Sequence, residues 1–525
     1  MFKFLNKFRG ENSVSGATKF LVATLFLSNV LGVIRDHFLA QKIPTTLLDT
    51  YYAGFRLPDL IFNVLILGAI SAAFIPIFTG LVSAGKKQRA FEVANKVFNL
   101  GLIFVLISIA ALFLLMPILV KIYVPDFVLE KQEITIKLAR WFLLSPLLFS
   151  ISYLFSGILN SFKHFVVTAL APLFYNLSII IFTLFLADRV GVFAPAYGVV
   201  FGALLHLGVQ LPSVVKRGWR YRIIIDIKDQ TVRKILKLML PRSVGLGATQ
   251  IMLIGFTAIA SGLGGGSVAI YNLSDNIQTM PMVIFGISIA QAAFPYLSEC
   301  FSVKKNKSFA CLLENAILMV MYFLIPLTAV FILLRAQIVR IILGSGHFGW
   351  EQTILTADTL AIFSLSLLFS GLVPLLARAF YARENTKIPT IVGLATVLIV
   401  LVLGWVLARF YGVLGLAGAI SIGSFFNAIT LFIILIYQKV QISVLRLLKN
   451  FSKILLASVL SAIFLQIAKV FYGSVIDLDR FVEVFGQFAI AIGIWLISYW
   501  AFSKLLKIDK FQLNIFQNYE NFPTK

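Results

Sequence analysis

A chain of 525 residues that is 60% hydrophobic and 13% charged, with a mean hydropathy of +0.96, lies far outside the range of soluble globular domains. What remains is an all-α polytopic membrane protein. The formal charge of +23 could suggest nucleic acid, but most of the Lys and Arg fall in one alternating set of loops and in the two tails. That is the positive-inside pattern, so the basicity reports topology and contact with anionic headgroups, not a nucleic-acid partner.

A helix needs about 20 predominantly apolar residues to cross the hydrocarbon core, and about fourteen segments qualify. In chain order they are 17 to 42, 53 to 82, 91 to 120, 136 to 160, 165 to 187, 194 to 215, 231 to 262, 266 to 300, 308 to 334, 352 to 382, 387 to 410, 413 to 437, 449 to 471 and 481 to 506. The basic start KFLNKFR leads into a long first helix with no small-residue cleavage site, so this helix is expected to be retained. With the N-terminus inside and an even number of spans, both termini are expected on the cytoplasmic side. The densest basic cluster, KRGWRYR at 216 to 222, follows the sixth span.

The first twelve spans read as two copies of a six-helix unit, offset by roughly 220 residues. AAFIPIF (72 to 78) then GKKQRAF answers AAFPYL (292 to 297) then VKKNKSF. KHFVVTALAP (163 to 172) answers ENTKIP (384 to 389), and YGVVFGALLHLGVQ (197 to 210) answers GLAGAISIGSFFNA (415 to 428). Six helices per copy gives both copies one orientation, a parallel pseudo-twofold repeat about the membrane normal. The expected lobes are 1 to 222 and 223 to 440. Residues 441 to 525 add two helices, as accessory packing or as a lipid-facing groove, and a tail.

Catalytic signatures are missing: no GxxxxGK[ST], HExxH, GxSxG or paired CxxC occurs. SAGK (83 to 86) fits SxxK only formally, at a helix end before a basic loop. The histidines are scattered, and only His37 adjoins other charge. Cys300 and Cys311 flank a cytoplasmic loop and suit neither a disulfide nor a metal site. No enzyme, cofactor or metal is expected.

The informative residues are ionisable groups in the spans. A charge at the bilayer centre costs roughly 2.5 to 3.5 kcal/mol on insertion scales and normally faces a bundle interior or a watery cavity. The first span carries Arg35 and Asp36; Asp49 follows in the loop; the second span carries Arg56 and Asp59 in DTYYAGFRLPD; the eighth carries Asp275 in YNLSDNIQTMP. Lys96, Arg242 and Arg378 lie in other spans. Arg35 and Asp36 point about 100° apart, so at least one is expected to pair with another helix. Two readings stay open: structural bridges of Arg35 or Arg56 with Asp36 or Asp49, or guanidiniums presented to an anionic headgroup, whose phosphate oxygens they match bidentately. Both hold if the pairing exchanges during transport. Pro58, Pro76, Pro281 and Pro295 bend the second and eighth spans, while GLGGGS (262 to 267) reads as a tight outside turn.

These stretches resemble the MurJ (MviN) family of lipid II flippases, within the wider group of MATE exporters and polysaccharide flippases. SNVLGVIRD (28 to 36) is similar to that family's first-helix SRVLGxxRD, DTYYAGFRLPDL (49 to 60) to its DAFxxAFxLPNL, and GAISAAFIPIF (68 to 78) to its GAFSxAFVPxx. LARAFYARENTKIPTIVG (376 to 393) and LNSFKHF with ALAP (159 to 172) match further motifs. The resemblance covers residues 17 to 440. It implies a fourteen-helix transporter with a central cavity between helices 1, 2, 7 and 8, moving undecaprenyl-pyrophosphate-linked disaccharide-pentapeptide to the outer leaflet by alternating access. The last two helices would shape a groove for the polyprenyl tail. It implies the lipid-linked peptidoglycan precursor, membrane lipids and cell-wall synthesis proteins as partners.

By the same resemblance Arg35, Asp36, Asp49, Ser267 and Asp275 take the family's site positions, with Arg56 beside them. The chain departs from the pattern at Asn29, where the family has arginine. It departs again at Phe62 and Asn63 in place of a basic pair, at Leu67 in place of glutamate, and at Asn276 and Thr279 in place of Arg and Glu. Substrate binding is therefore expected to rest on Arg35 and Arg56 with donors from Asn29, Asn63, Asn276 and Ser267. The alternatives are an exporter of another lipid-linked saccharide or an amphiphile, which would lean on Asp36, Asp49 and Asp275, and a non-transporting cell-wall scaffold.

Overall fold

The computed structural model describes residues 14–67, 74–478 and 480–508. The expectations for the first residues of the basic tail, for part of GAISAAFIPIF and for the tail beyond residue 508 fall outside the described residues, as does the Arg242 side chain.

Among the described residues every regular element is a helix. In order it forms α1 (Val14–Lys42), α2 (Thr45–Ile61), a π-helical stretch (Phe62–Leu67), α3 (Ile75–Ser83), α4 (Lys87–Tyr123), α5 (Leu129–Phe142), α6 (Leu144–Ser161), α7 (Phe165–Val190), α8 (Phe193–Lys216) and α9 (Gln230–Ser261). Then come α10 (Ser267–Pro281), a second π stretch (Met282–Ile287), α11 (Ser288–Ser302), α12 (Asn306–Leu333), α13 (Arg335–Ile342), α14 (Trp350–Ser364), α15 (Leu367–Ala382), α16 (Lys387–Tyr411), α17 (Val413–Tyr437), α18 (Val444–Val475) and α19 (Phe481–Leu505). Among the described residues, eleven helices are long and apolar enough to cross a membrane. A twelfth span arises if α14 and α15, bent by 44°, count as one. The chain is thus a multi-pass membrane protein. The expected fourteen is compatible with this count, the further two spans coinciding with α1 and with the interrupted run from α2 to α3.

Each half repeats the same local events. The π stretches follow Pro58 and Pro281, where the ring removes a backbone donor and loosens the ladder. Left-handed backbone recurs in matched turns: Gly85 and Lys304, Lys163 and Glu384, Gly191 and Gly412, Gly218 and Lys439. The sequence separation is roughly 220 each time, the period of the internal repeat. Side-chain bridges recur between the equivalent helix pairs, Ser152 Oγ meeting His206 Nδ1 between α6 and α8 and Ser370 Oγ meeting Ser424 Oγ between α15 and α17.

Two compact units emerge, residues 1–269 and 270–525. In the second, a core of Leu312, Leu313, Leu324, Leu375 and Phe380 is fully or almost fully buried. There the second π stretch and α15 touch backbone to backbone: a Cβ on Gly286 would lie 2.6 Å from the Gly371 Cα. Outward faces carry large apolar side chains, such as Leu114 at 74% exposure; in a bilayer these meet lipid, which needs no polar cover.

Candidate functional site

In the first unit, α1 delivers Arg35 and Asp36 to the flank of α7. Arg35 wraps back on its neighbour, donating from Nε (3.0 Å) and Nη2 (2.8 Å) to Asp36 Oδ1, while Nη1 donates to Asn176 Oδ1 on α7 (3.2 Å). Asn176 in turn donates to the Ser28 carbonyl at 3.4 Å. The 100° offset between adjacent residues is overcome by the length of the arginine stem. One of the open bridges, Arg35 with Asp36, is therefore present, and Arg35 also reaches another helix as expected. The Arg35 side chain keeps 22% exposure while Asp36 keeps 4%, so the guanidinium is the accessible member of the pair.

Arg56 on α2 is buried and donates from Nε to Thr257 Oγ1 of α9 at 2.7 Å. Tyr52, one turn before Arg56 on α2, is within electrostatic reach of Arg35, Asp36 and Arg56. Its hydroxyl is buried with no hydrogen-bond partner among the described residues. A buried polar atom without a partner is rare, and this one is within electrostatic reach of two guanidiniums. Asn63, half-buried, donates to the Asp59 carbonyl at 3.0 Å. Asn29 is half-buried on α1.

Asp49 lies inside α2, not in a loop, and is fully buried. It pairs with neither arginine. Its carboxylate accepts from the backbone N–H groups of Gly266 (2.7 Å) and Ala269 (2.9 Å), at the start of α10, and from Lys131 Nζ of α5 (2.8 Å). An anion at a helix N-terminus satisfies orphan donors and complements the dipole. Asp49 thereby ties the starts of α2, α5 and α10 at one point, and Ser267 is buried beside it.

In the second unit, Asp275 on α10 is half-buried and accepts from Gln278 Nε2 at 3.1 Å, with Asn276 half-buried next to it. Arg378 on α15 donates to the Ile287 carbonyl at the end of the π stretch (3.1 Å). This unit also holds an apolar groove between α12, α15, α17 and α18. Two adjoining cavities of 280 and 550 Å³ share Leu368, Phe369 and Phe451. The start of α18 is fastened there by Glu314 of α12, which accepts from the Ser443 N–H and from Arg446 Nη1, while Arg446 Nη2 donates to Asn315. Among the described residues no group of His, Cys, Asp and Glu could hold a metal ion.

Lys131, Asn176, Thr257 and Tyr52 escape a reading of the sequence because each is ordinary in its own helix. Only the two tyrosines of DTYYAGFRLPD, polar groups in an apolar run, gave any signal.

The family model described as lipid II flippase MurJ matches residues 44–482. The chain belongs to the MurJ family. Among curated MurJ relatives, the probable lipid II flippase MurJ of Rhizobium tropici is 30% identical over 420 residues, 78% of each chain. The lipid II flippase MurJ of Burkholderia cenocepacia is 25% identical over 447 residues, covering 82% of this chain and 84% of its own. Among solved structures, a lipid II flippase MurJ in an inward closed conformation aligns with TM-score 0.77 at 24% identity, covering 93% of this chain and 99% of its own. An inward-facing MATE-family multidrug transporter of the MOP superfamily aligns at 0.68 and 16% identity, over 77% and 93%. These two structures share the fold.

Proposed function

We propose that the chain carries lipid II from the inner to the outer leaflet by alternating access, with both termini cytoplasmic and with residues 1 to 222, 223 to 440 and 441 to 525 acting as two lobes and an accessory pair of helices. The observation that carries this reading is the first-unit constellation of Arg35, Tyr52 and Arg56. Two guanidiniums and an unpartnered hydroxyl match a diphosphate, whose oxygens accept charge-assisted hydrogen bonds. Arg35 is only partly engaged by its own carboxylate, so a phosphate can compete with Asp36 for it.

Asn29, Asn63 and Ser267 of the first unit would supply further contacts to the sugar and peptide, and the family resemblance alone adds Asp275 and Asn276. Asp49 would hold the start of α10 in place. The tail of the substrate, being hydrocarbon, would ride in the apolar groove of α12, α15, α17 and α18, outside any polar passage. Outward movement of an anion is favoured by an inside-negative potential, by about 2.3 kcal/mol per charge per 100 mV, so no nucleotide site is needed.

The test is complementation of a strain depleted of its own flippase, read by accessibility of the headgroup from outside. Wild type should restore exposure, Arg35→Ala should not, and Asp36→Ala should retain a part. Failure chiefly at Asp36 would instead indicate a cationic cargo. No exposure with any variant, wild type included, would indicate a scaffold that does not transport.

A further inference from the structure

The apolar groove of the second unit has a counterpart in the first. A cavity of 310 Å³ opens between α4, α6 and α9, lined by Val97, Phe98, Gly101, Leu154, Ile235 and Met239 among others. Its wall on α4 answers that of α12: Val97 stands where the second unit has Ile317, and Gly101 where it has Met321, at the period of the internal repeat. On the following helices the lining residues have identical spacing, Val232, Ile235, Leu236 and Met239 on α9 against Val444, Leu447, Leu448 and Phe451 on α18.

Each cavity is also capped by a clamped linker, and the clamps have opposite sign. In the second unit an acid on α12, Glu314, holds Arg446. In the first a base on α4, Lys96, holds Asp226 and Asp229, both at 2.9 Å. Asn95 and Asn99 of α4 donate to the carbonyls of Arg220, Arg222 and Ile224, and Asn95 accepts from the Arg222 N–H. These two amides fix the linker in an extended form, in which alternate side chains point to opposite sides. Tyr221, Ile223, Ile225 and Ile227 are exposed, with Ile223 at 78%, and so are Arg220, Arg222 and Lys228. Arg233, Lys234 and Lys237 continue the exposed charge onto α9. Apolar side chains interleaved with cations over a hydrocarbon-lined opening suit a lipid interface.

We propose that the cavity of the first unit is a binding site for an anionic diacyl phospholipid, one acyl chain entering between α4, α6 and α9 and the phosphate resting on the arginines of the 216 to 228 linker. This lipid is not the transported cargo. It would hold the linker and the start of α9 against α4, and it stands whether or not lipid II is the substrate.

The decisive residue is Gly101, where an added Cβ meets nothing within 4 Å, so a larger side chain grows into the cavity without displacing backbone. The full chain in detergent is offered equal amounts of phosphatidylglycerol and phosphatidylethanolamine, and retained lipid is counted by native mass spectrometry. Wild type should retain phosphatidylglycerol preferentially. Gly101→Leu should lower that retention roughly tenfold with an unchanged melting temperature. Arg220→Gln with Arg222→Gln should abolish the preference between headgroups. Leu236→Trp, narrowing the cavity from α9, repeats the test should Gly101→Leu misfold. Equal retention of the two lipids by wild type, or undiminished phosphatidylglycerol in both cavity-filling variants, overturns the site. Displacement of phosphatidylglycerol by undecaprenyl phosphate in wild type but not in Gly101→Leu overturns the assignment to a phospholipid.

Discussion

Arg35 has a planar guanidinium whose donors are divided between a carboxylate on its own helix and an amide on another, Asp36 and Asn176. A lysine placed there would keep the charge and lose the fork that reaches both. A charge-assisted contact is worth about 1.5–3 kcal/mol, so Arg35→Lys should reduce headgroup exposure in the complementation assay roughly tenfold to a hundredfold. Asn176→Ala, which removes the neutral arm alone, should have a smaller effect; an Arg35→Lys variant as active as wild type would show that the bidentate geometry is irrelevant to transport. Arg35 and Asp36 stand out in the sequence because charge is costly in a bilayer. Asn176 does not, since nothing in an isolated α7 shows which residues will face α1. The pairing of Asp49 is hidden for the same reason, its partner Lys131 lying in a segment where a lysine looks like an ordinary loop cation.

Elements in this fold are fixed by close backbone approach and by caps supplied from a distance. The π stretch at Met282–Ile287 passes α15 at Gly286 and Gly371, and a single methyl on Gly286 would sit inside contact distance of the opposing Cα. Overpacking of this kind costs about 1–3 kcal/mol, so Gly286→Ala should lower the melting temperature in detergent, with Gly101→Ala as a control that leaves it unchanged. At the start of α9, Asp229 accepts from the N–H groups of Thr231 and Val232 and binds Lys96 and Arg89. Burial pushes its carboxyl upward, but the hydrogen bonds from Lys96, Thr231, Arg89 and Val232 outweigh it and hold the group below the usual carboxylate range. A depressed carboxylate contributes stability that is complete above its unfolded value, near 3.9, and is lost as pH falls through the folded one. Asp229→Asn keeps the cap, because asparagine also accepts from the N2 and N3 amides, and loses the ion pairs. Its melting temperature should therefore lie below that of wild type by a constant amount from pH 8 to 5, and the gap should narrow only below pH 4. A gap that closes between pH 7 and 5 would contradict the assignment.

At the scale of the whole molecule, the helices and their repeat are legible because bilayer physics acts on composition and length, and because prolines and left-handed turns recur at one period. The candidate site is legible only where a charge betrays it. The groove of α12, α15, α17 and α18 and its counterpart on α4, α6 and α9 are built from Leu, Ile, Phe and Val indistinguishable in sequence from any lipid-facing residue. The proposed alternating access makes one demand that can be tested without a substrate analogue: the contact where α2 meets the turn before α10 would have to part in each cycle. A Cβ on Gly265 would lie 3.8 Å from the Thr46 Cβ, which is the mean Cβ separation of a disulfide, about 3.8 Å. Gly265 is not among the left-handed glycines of that turn, so cysteine fits its backbone. In a chain with Cys300 and Cys311 replaced by serine, Thr46→Cys with Gly265→Cys should cross-link under mild oxidant. Transport should then stop and return on reduction, while either single variant stays active throughout. Transport that continues in the fully cross-linked protein would mean that this contact never opens, and cargo would have to leave by another route.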